Sequence, residues 1–244
     1  MRWAIIGYGE VGSRFAEALR RGGHEVRAYA RHPRAELTPT LAAALDGAGA
    51  ILSCVLASAA EEVASQACTG SAPYVDVTNV GIEATQRLSA LPGFHKGAIL
   101  APVARHGAGS PMLLAGPQAG ELAAALNQAG FNVRAVGPEP RQAAAIKILR
   151  SVATKCIVAL LHDMQTAAAA YGVEDGVLES AGEFFGTEPF AELARTLLRQ
   201  SGLHAERLAG EMDEIAEALR LAGVSERVPD LAREVFREIA AMRS

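Results

Sequence analysis

The N-terminal segment constrains the fold more than any other stretch of this chain. Ala4, Ile5 and Ile6 form a short apolar strand, Gly7-Tyr8-Gly9-Glu10-Val11-Gly12 is a turn of the G-x-G-x-x-G type, and a helix predicted over Glu10–Arg21 stops at Gly22-Gly23 before a second strand at Glu25–Ala30. A glycine turn alone is an ordinary strand-to-helix connection; the complete set of flanking elements gives this one its meaning. Gly7 permits the tight turn, Gly9 lets the backbone approach a pyrophosphate, and Gly12 lets the helix pack closely on the sheet. These elements begin a Rossmann-type dinucleotide-binding domain, in which the pyrophosphate rests on the N–H groups that open the helix. Cofactor contacts are expected from Gly7, Tyr8, Gly9, Glu10, Val11 and Gly12.

The end of the second strand selects between nicotinamide cofactors. An acidic residue there would hydrogen-bond a ribose 2′-hydroxyl, but the chain reads Val26-Arg27-Ala28-Tyr29-Ala30-Arg31-His32-Pro33-Arg34. Positive charge stands where a 2′-phosphate would lie, so Ala30, Arg31 and Arg34 point to NADP, with NAD as the alternative.

The pattern then repeats. A helix at Leu41–Leu45, a strand at Ala50–Leu56, a helix opened by Ser58 with Glu61 as its capping-box partner, a strand at Tyr74–Thr78 and a helix near Glu83–Leu91 follow in turn. Strands at Ala98–Leu100 and Met112–Leu114, a helix at Gly120–Ala129 and a strand at Phe131–Val136 complete the series. Alternating strands and helices imply a mostly parallel sheet, whose carboxyl ends bind ligands. Val55 and Leu56, ending the third strand, and Asn79, just after the fourth, therefore join the expected cofactor contacts. Beyond Gly137-Pro138-Glu139-Pro140 only helical periodicity remains. The expected organisation is α/β: a Rossmann domain over residues 1–138, then an all-α domain over 139–244 that begins with a long interdomain helix.

Charge and cysteine usage exclude several function classes. Residues 1–138 carry 11 basic and 10 acidic side chains and residues 139–244 carry 12 and 17, so neither part offers a basic field for nucleic acid. Cys54, Cys68 and Cys156 have neither paired nor metal-type spacing, which suits buried free thiols in a reducing cytoplasm and gives no metal site. The N-terminus is too short in apolar residues for a signal peptide, and the longest apolar run, Cys156–Leu161, is far from a membrane span.

The long helix, predicted over Arg141–Tyr171, carries a polar stripe of Lys147, Ser151, Thr154, Lys155 and His162 along an otherwise apolar rod. Such a stripe is by default a wet face with snorkelling lysines. This helix, however, directly follows the nucleotide domain, so its early turns are expected over the cleft, with Lys147 pointing in. Partial desolvation there, with Arg150 one turn away, would lower the lysine pKa toward the range useful for proton transfer.

With these residues in place, the chain resembles the 3-hydroxyisobutyrate and 6-phosphogluconate dehydrogenase superfamily of β-hydroxyacid dehydrogenases, in a branch with a shortened helical domain. Gly7-Tyr8-Gly9-Glu10-Val11-Gly12 is similar to its cofactor signature, Ala101-Pro102-Val103 to the start of its substrate loop, and Lys147 to its catalytic lysine. The resemblance implies that Lys147 relays the proton during hydride transfer and that subunits pair through the helical domain as homodimers. It also implies substrate contacts from Val103 and from Ser151, which stands where the family has an asparagine. The family's glycines before the lysine are replaced by Ala143 and Arg141, and its Ser-Gly-Gly turn by Ala104-Arg105-His106. Arg105 is expected to hold a carboxylate or phosphate bidentately, and His106 to donate a hydrogen bond or share the proton. The resulting expectation is a cytoplasmic NADP-dependent oxidoreductase acting on a small acidic hydroxy compound. An imine reductase on the same fold and a non-catalytic NADP-binding module are the alternatives.

Overall fold

The computed structural model describes residues 1–70, 72–187 and 189–242, apart from the side chains of 151–155, 158, 159, 190, 191, 214 and 218. The chain forms two compact units, Met1–Val152 and Ala153–Ser244.

The first unit is built on seven strands, β1 (Arg2–Ile6), β2 (Glu25–Tyr29), β3 (Ala50–Ser53), β4 (Tyr74–Asp76), β5 (Phe94–Ile99), β6 (Pro111–Ala115) and β7 (Asn132–Gly137), in the order β2-β1-β3-β4-β5-β6-β7. All neighbours are parallel except β5 and β6. Parallel strands need a crossover of a dozen or so residues, usually helical. Only a one-turn helix, α5 (Val103–His106), and a 3₁₀ turn at Gly107–Gly109 separate β5 from β6, so β6 returns antiparallel.

Side chains of β1 alternate between two buried faces, as strand geometry requires. Trp3 and Ile5 pack with Phe15, Ala16 and Leu19 of α1 (Glu10–Arg21) and with Leu122 and Leu126 of α6 (Ala119–Gln128). Ala4 and Ile6 pack on the opposite side, toward α2 (Leu41–Leu45), α3 (Ala60–Ala67) and α4 (Ile82–Leu88), through Ala64, Ala67 and Leu88. The two layers bury the central sheet on both faces, which is why its strands read as apolar runs.

Several local expectations are corrected. The strand predicted to Leu56 ends at Ser53, leaving Cys54, Val55 and Leu56 in a loop; that predicted to Thr78 ends at Asp76. Ser58 does not cap a helix. It lies inside a 3₁₀ turn, Ala57–Ala59, and the Glu61 carboxylate, instead of reaching back, pairs with Arg87 of α4. The strand read as beginning at Ala98 starts at Phe94, because His95 and Lys96 are buried within it.

His95 is wholly buried, with Nδ1 2.8 Å from the Gly93 carbonyl and Nε2 3.1 Å from the backbone N–H of Gln118, which precedes α6. Since that N–H can only donate, Nε2 is the acceptor and the proton sits on Nδ1. Burial lowers the His95 pKa. As pH falls through about 6.5, the unfolded chain takes up a proton that the folded chain refuses. Stability is therefore retained above that pH and lost below it, by up to about 1.4 kcal/mol per pH unit. Urea unfolding at pH 7.5 and 5.5 checks this: the midpoint should drop in the wild type and drop less in His95→Gln, and equal drops would contradict it.

The second unit contains the distal part of α7 (Arg141–Tyr171), then α8 (Glu174–Phe185), α9 (Phe190–Leu221) and α10 (Arg227–Ala241). The α9 helix is kinked at His204 (φ −125°, ψ 20°), and Arg233 of α10 bridges Asp213 on α9 and Asp230 on its own helix, each at 3.0 Å. Among the described residues its buried apolar side chains are alanines and Pro229, whereas Phe184, Phe185, Leu203, Leu231 and Val235 are exposed.

The compositional change at Gly137-Pro138 lies inside the first unit because the opening turns of α7 pack on the sheet. Ala143 is wholly buried in a cluster with Ala98, Leu113 and Ala115.

Candidate active site

The strand order runs outward from β1 in both directions, to β2 on one side and to β3 on the other. Open α/β sheets bind ligands at such a reversal, outside the carboxyl ends of the strands. Here the loop Gly7–Gly9 leaves β1 and the loop Cys54–Leu56 leaves β3.

Glycine is required at two positions of the G-x-G-x-x-G segment, one in the first loop and one in the first turn of α1. Gly7 has φ +90°, and a Cβ on it would lie 2.7 Å from the Cys54 carbonyl carbon; a Cβ on Gly12 would lie 1.9 Å from the Gly7 carbonyl oxygen. Gly9 differs, because a Cβ there would meet nothing within 4 Å. It caps α1 without a side chain to accept from the first-turn N–H groups.

A cavity of about 480 Å³ lies here, lined by Gly7, Tyr8 and Gly9, by Ala30, Arg31, His32 and Arg34 after β2, and by Val55 and Leu56. Arg31 and Arg34 have no carboxylate partner among the described residues. An open approach to Gly9, an uncapped helix start and two unpaired guanidiniums at the far end fit a phosphorylated dinucleotide.

A second cavity of about 350 Å³ shares the walls Cys54 and Val55 with the first, so the two are neighbours. Its other walls are Val11 of α1, the stretch Val77, Thr78 and Asn79 after β4, Ile99 of β5, Ala101, Val103 of α5, and Lys147 of α7. Lys147 is half-buried. Its pKa is lowered, first by burial, then by the positive charges of Lys96 and Arg150. Arg150 donates to the Leu100 carbonyl at 3.0 Å, which ties α7 to the end of β5. Burial, with the Asp76 carboxylate adding to it, raises the Cys54 pKa, so this residue stays a thiol.

Of the residues singled out from sequence, Gly7, Tyr8, Gly9, Ala30, Arg31, Arg34, Val55 and Leu56 come together in the first cavity, and Val11, Val55, Asn79, Val103 and Lys147 in the second. Glu10 and Gly12 are in the first turn of α1 and line neither. Arg105 and His106 are exposed on α5, also outside both linings. Ser151 lies outside the described side chains. Sequence reasoning missed Thr78, Ile99 and Ala101, whose only signal was their place at strand ends, and missed the buried pair Asp76 and Lys96 behind the second cavity. A charged residue inside each of two buried strands was the available signal for that pair.

Residues 168–239 match the model of a domain of unknown function, DUF1932. No curated protein matches the chain. Among solved structures, conserved protein MTH1747, of unknown function but described as structurally similar to 3-hydroxyacid dehydrogenases, is 31% identical; the match covers 100% of this chain and 98% of that one, with a TM-score of 0.71. An imine reductase from Streptomyces aurantiacus shares the fold at 19% identity (98% of this chain, 94% of that one, TM-score 0.73). So does a reductive aminase from Aspergillus terreus, solved in complex with NADPH and ethyl levulinate, at 18% identity (97% and 94%, TM-score 0.67). Near-complete coverage at that first level of identity, on a fold whose switch point carries the G-x-G-x-x-G turn, places the relationship beyond fold alone: the chain belongs to the 3-hydroxyacid dehydrogenase-like proteins.

Proposed function

We propose that this protein is an NADP-dependent oxidoreductase that interconverts a small acidic hydroxy compound, of the β-hydroxyacid or sugar-acid type, and its carbonyl. The carrying observation is that Lys147, with a lowered pKa, lines a cavity that shares the walls Cys54 and Val55 with the cavity at the glycine turn. NADP bound along the groove would accept or supply the hydride. Gly9 and the start of α1 hold the pyrophosphate, and Arg31 and Arg34 hold the 2′-phosphate. The apolar walls Val11, Ile99 and Val103 exclude water from the reacting end. Lys147 takes the hydroxyl proton in oxidation and returns one to the carbonyl oxygen in reduction. Arg105 and His106, exposed on α5 outside the cavity lining, would serve the substrate's negative group only by turning toward the cavity.

The assignment extends to the whole molecule. Residues 1–138 bind the cofactor and residues 139–244 complete the enzyme as a cytoplasmic homodimer, paired through the apolar side chains that the helical unit leaves exposed, such as Leu231 and Val235.

A second reading, an imine reductase, is favoured by one observation: neither Arg105 nor His106 lines the cavity that holds Lys147, so among the described residues no arginine or histidine faces the reacting end. A screen of NADPH oxidation and NADP reduction over hydroxyacids, keto acids, aldehydes and cyclic imines separates the two. Turnover of hydroxyacids supports the first reading and turnover of cyclic imines alone the second. Tight NADPH binding without consumption across the panel points to a binding module.

Cofactor choice is tested separately. NADPH should bind at least several-fold more tightly than NADH, and Arg31→Ala should erase most of that preference, because one guanidinium of the phosphate clamp is lost. Fluorescence titration of both cofactors decides, and equal affinities in the wild type would remove the argument.

A further inference from the structure

The chain uses lysine sparingly. Of its 23 basic side chains only three are lysines, Lys96, Lys147 and Lys155, and the others are arginines. Arginine stays charged in proteins, whereas a lysine pKa responds readily to its surroundings. Two of these lysines meet at the second cavity, one in its wall and one behind it.

Lys96, in the middle of β5, is 2% exposed. Its Nζ donates to Asp76 Oδ2 at 2.5 Å and to the Thr78 carbonyl oxygen at 2.5 Å. The same carboxylate accepts from the Thr78 backbone N–H at 3.2 Å and from its hydroxyl at 2.8 Å. Every polar group of Thr78 is thus tied to this one pair, and Val77, Thr78 and Asn79 together form the cavity wall. A buried ion pair is weak evidence for stability, since apolar replacements of the same volume often do as well. Its place at the carboxyl end of β4, directly behind the Val77–Asn79 wall, calls for another account.

We propose that Lys96, held by Asp76, is a positioning residue of the active site: it clamps the Val77–Asn79 wall from behind and sets a fixed positive charge toward Lys147. The proposal rests on Lys147 being the acid/base of the reaction. Lys96 on β5 and Arg150 on α7 both disfavour the Lys147 ammonium. Asp76 on β4 is engaged by Lys96 and Thr78, and the remaining titratable wall group, Cys54 after β3, is a neutral thiol. Among the described residues, the two charges that shift Lys147, Lys96 and Arg150, are both positive, and the ion pair fixes Lys96 where solvent cannot screen it.

With three lysines the test is direct. The full chain is reductively methylated with ¹³C-formaldehyde, Lys147 is assigned by the signal missing in Lys147→Arg, and its titration midpoint is read by NMR. The wild-type midpoint should lie below the ordinary lysine value of about 10.4. An ordinary midpoint overturns the proposal at once. In the double variant Asp76→Asn/Lys96→Met, which removes both charges together and avoids an orphaned carboxylate, the midpoint should rise toward the ordinary lysine value. Circular dichroism and NADPH titration establish that the variant is folded. A lower melting temperature with an unmoved Lys147 midpoint would reduce the pair to a structural role and sink the idea. The alkaline limb of kcat/KM should move with the midpoint. If the midpoint moves while the pH profile of a turned-over substrate does not, the pair does tune Lys147, and the assignment of Lys147 as the acid/base fails instead.

Discussion

Lys147→Ala lowers kcat by about 10²- to 10⁴-fold, the contribution of a positioned general acid or base, and leaves NADPH affinity unchanged. The two effects separate because Lys147 lines only the inner cavity, while the glycine turn and the arginines line the outer one. Lys155→Ala, which removes the other lysine of the polar stripe, is the matching control and leaves kcat near the wild-type value. The direction of the pH dependence follows from the lowered pKa. In oxidation the neutral amine is the active form, so kcat/KM rises with pH through the Lys147 pKa and levels off below the ordinary lysine range. In reduction the ammonium is the active form, and the profile falls through the same pKa. Stopped-flow single turnovers with the substrate found in the screen measure the chemical step. Equally mild losses in both lysine variants would assign the proton to water or His106 and would confine the family resemblance to fold and cofactor.

Gly12→Ala and Gly9→Ala should fail in different ways. A Cβ at Gly12 meets the Gly7 carbonyl oxygen, and both groups belong to the turn that joins β1 to α1, so neither yields without opening the turn. Overpacking of this kind costs about 3 kcal/mol, which for a chain of this length lowers Tm by roughly 6–12 °C. A Cβ at Gly9 meets no protein atom and the backbone there has φ −84°, so Gly9→Ala keeps its Tm. It should nevertheless weaken NADPH by tenfold or more, about 1.4 kcal/mol, because the methyl occupies the approach of the pyrophosphate. Thermal melts and fluorescence titration of both variants give the comparison. A Gly9→Ala protein that binds NADPH normally would show that the ligand does not pass over this loop.

The contrast between these residues explains what was legible beforehand. The G-x-G-x-x-G turn, α1 and α7 were readable because each is specified locally: φ preference, helical periodicity and glycine stops act within a few residues. Much of the cofactor end of the groove followed, since Gly7–Gly9 and the residues after β2 come from a single β-turn-α-β stretch, to which the loop after β3 adds Val55 and Leu56. The limits of β5 did not, because a strand that buries His95 and Lys96 carries a polar signal in a sheet otherwise marked by apolar runs. The reversal at β6 was equally hidden. Nothing in Met112-Leu113-Leu114 encodes strand direction; the length of the connection and the packing of α6 and β7 decide it.

By itself, then, the sequence determined the α/β class, the dinucleotide turn, the absence of an acidic residue after β2 and the presence of a lysine early in a long helix. Tertiary structure alone decided that Lys147 faces the same cavity as Thr78 and Asn79, that Arg105 and His106 stay outside its lining, and that Lys96 finds Asp76 across two strands. The reason is physical. Backbone conformation is a short-range property, whereas the protonation of a side chain depends on the charges and the solvent around it, and here those are supplied by residues far apart in the chain and adjacent only once the sheet is formed.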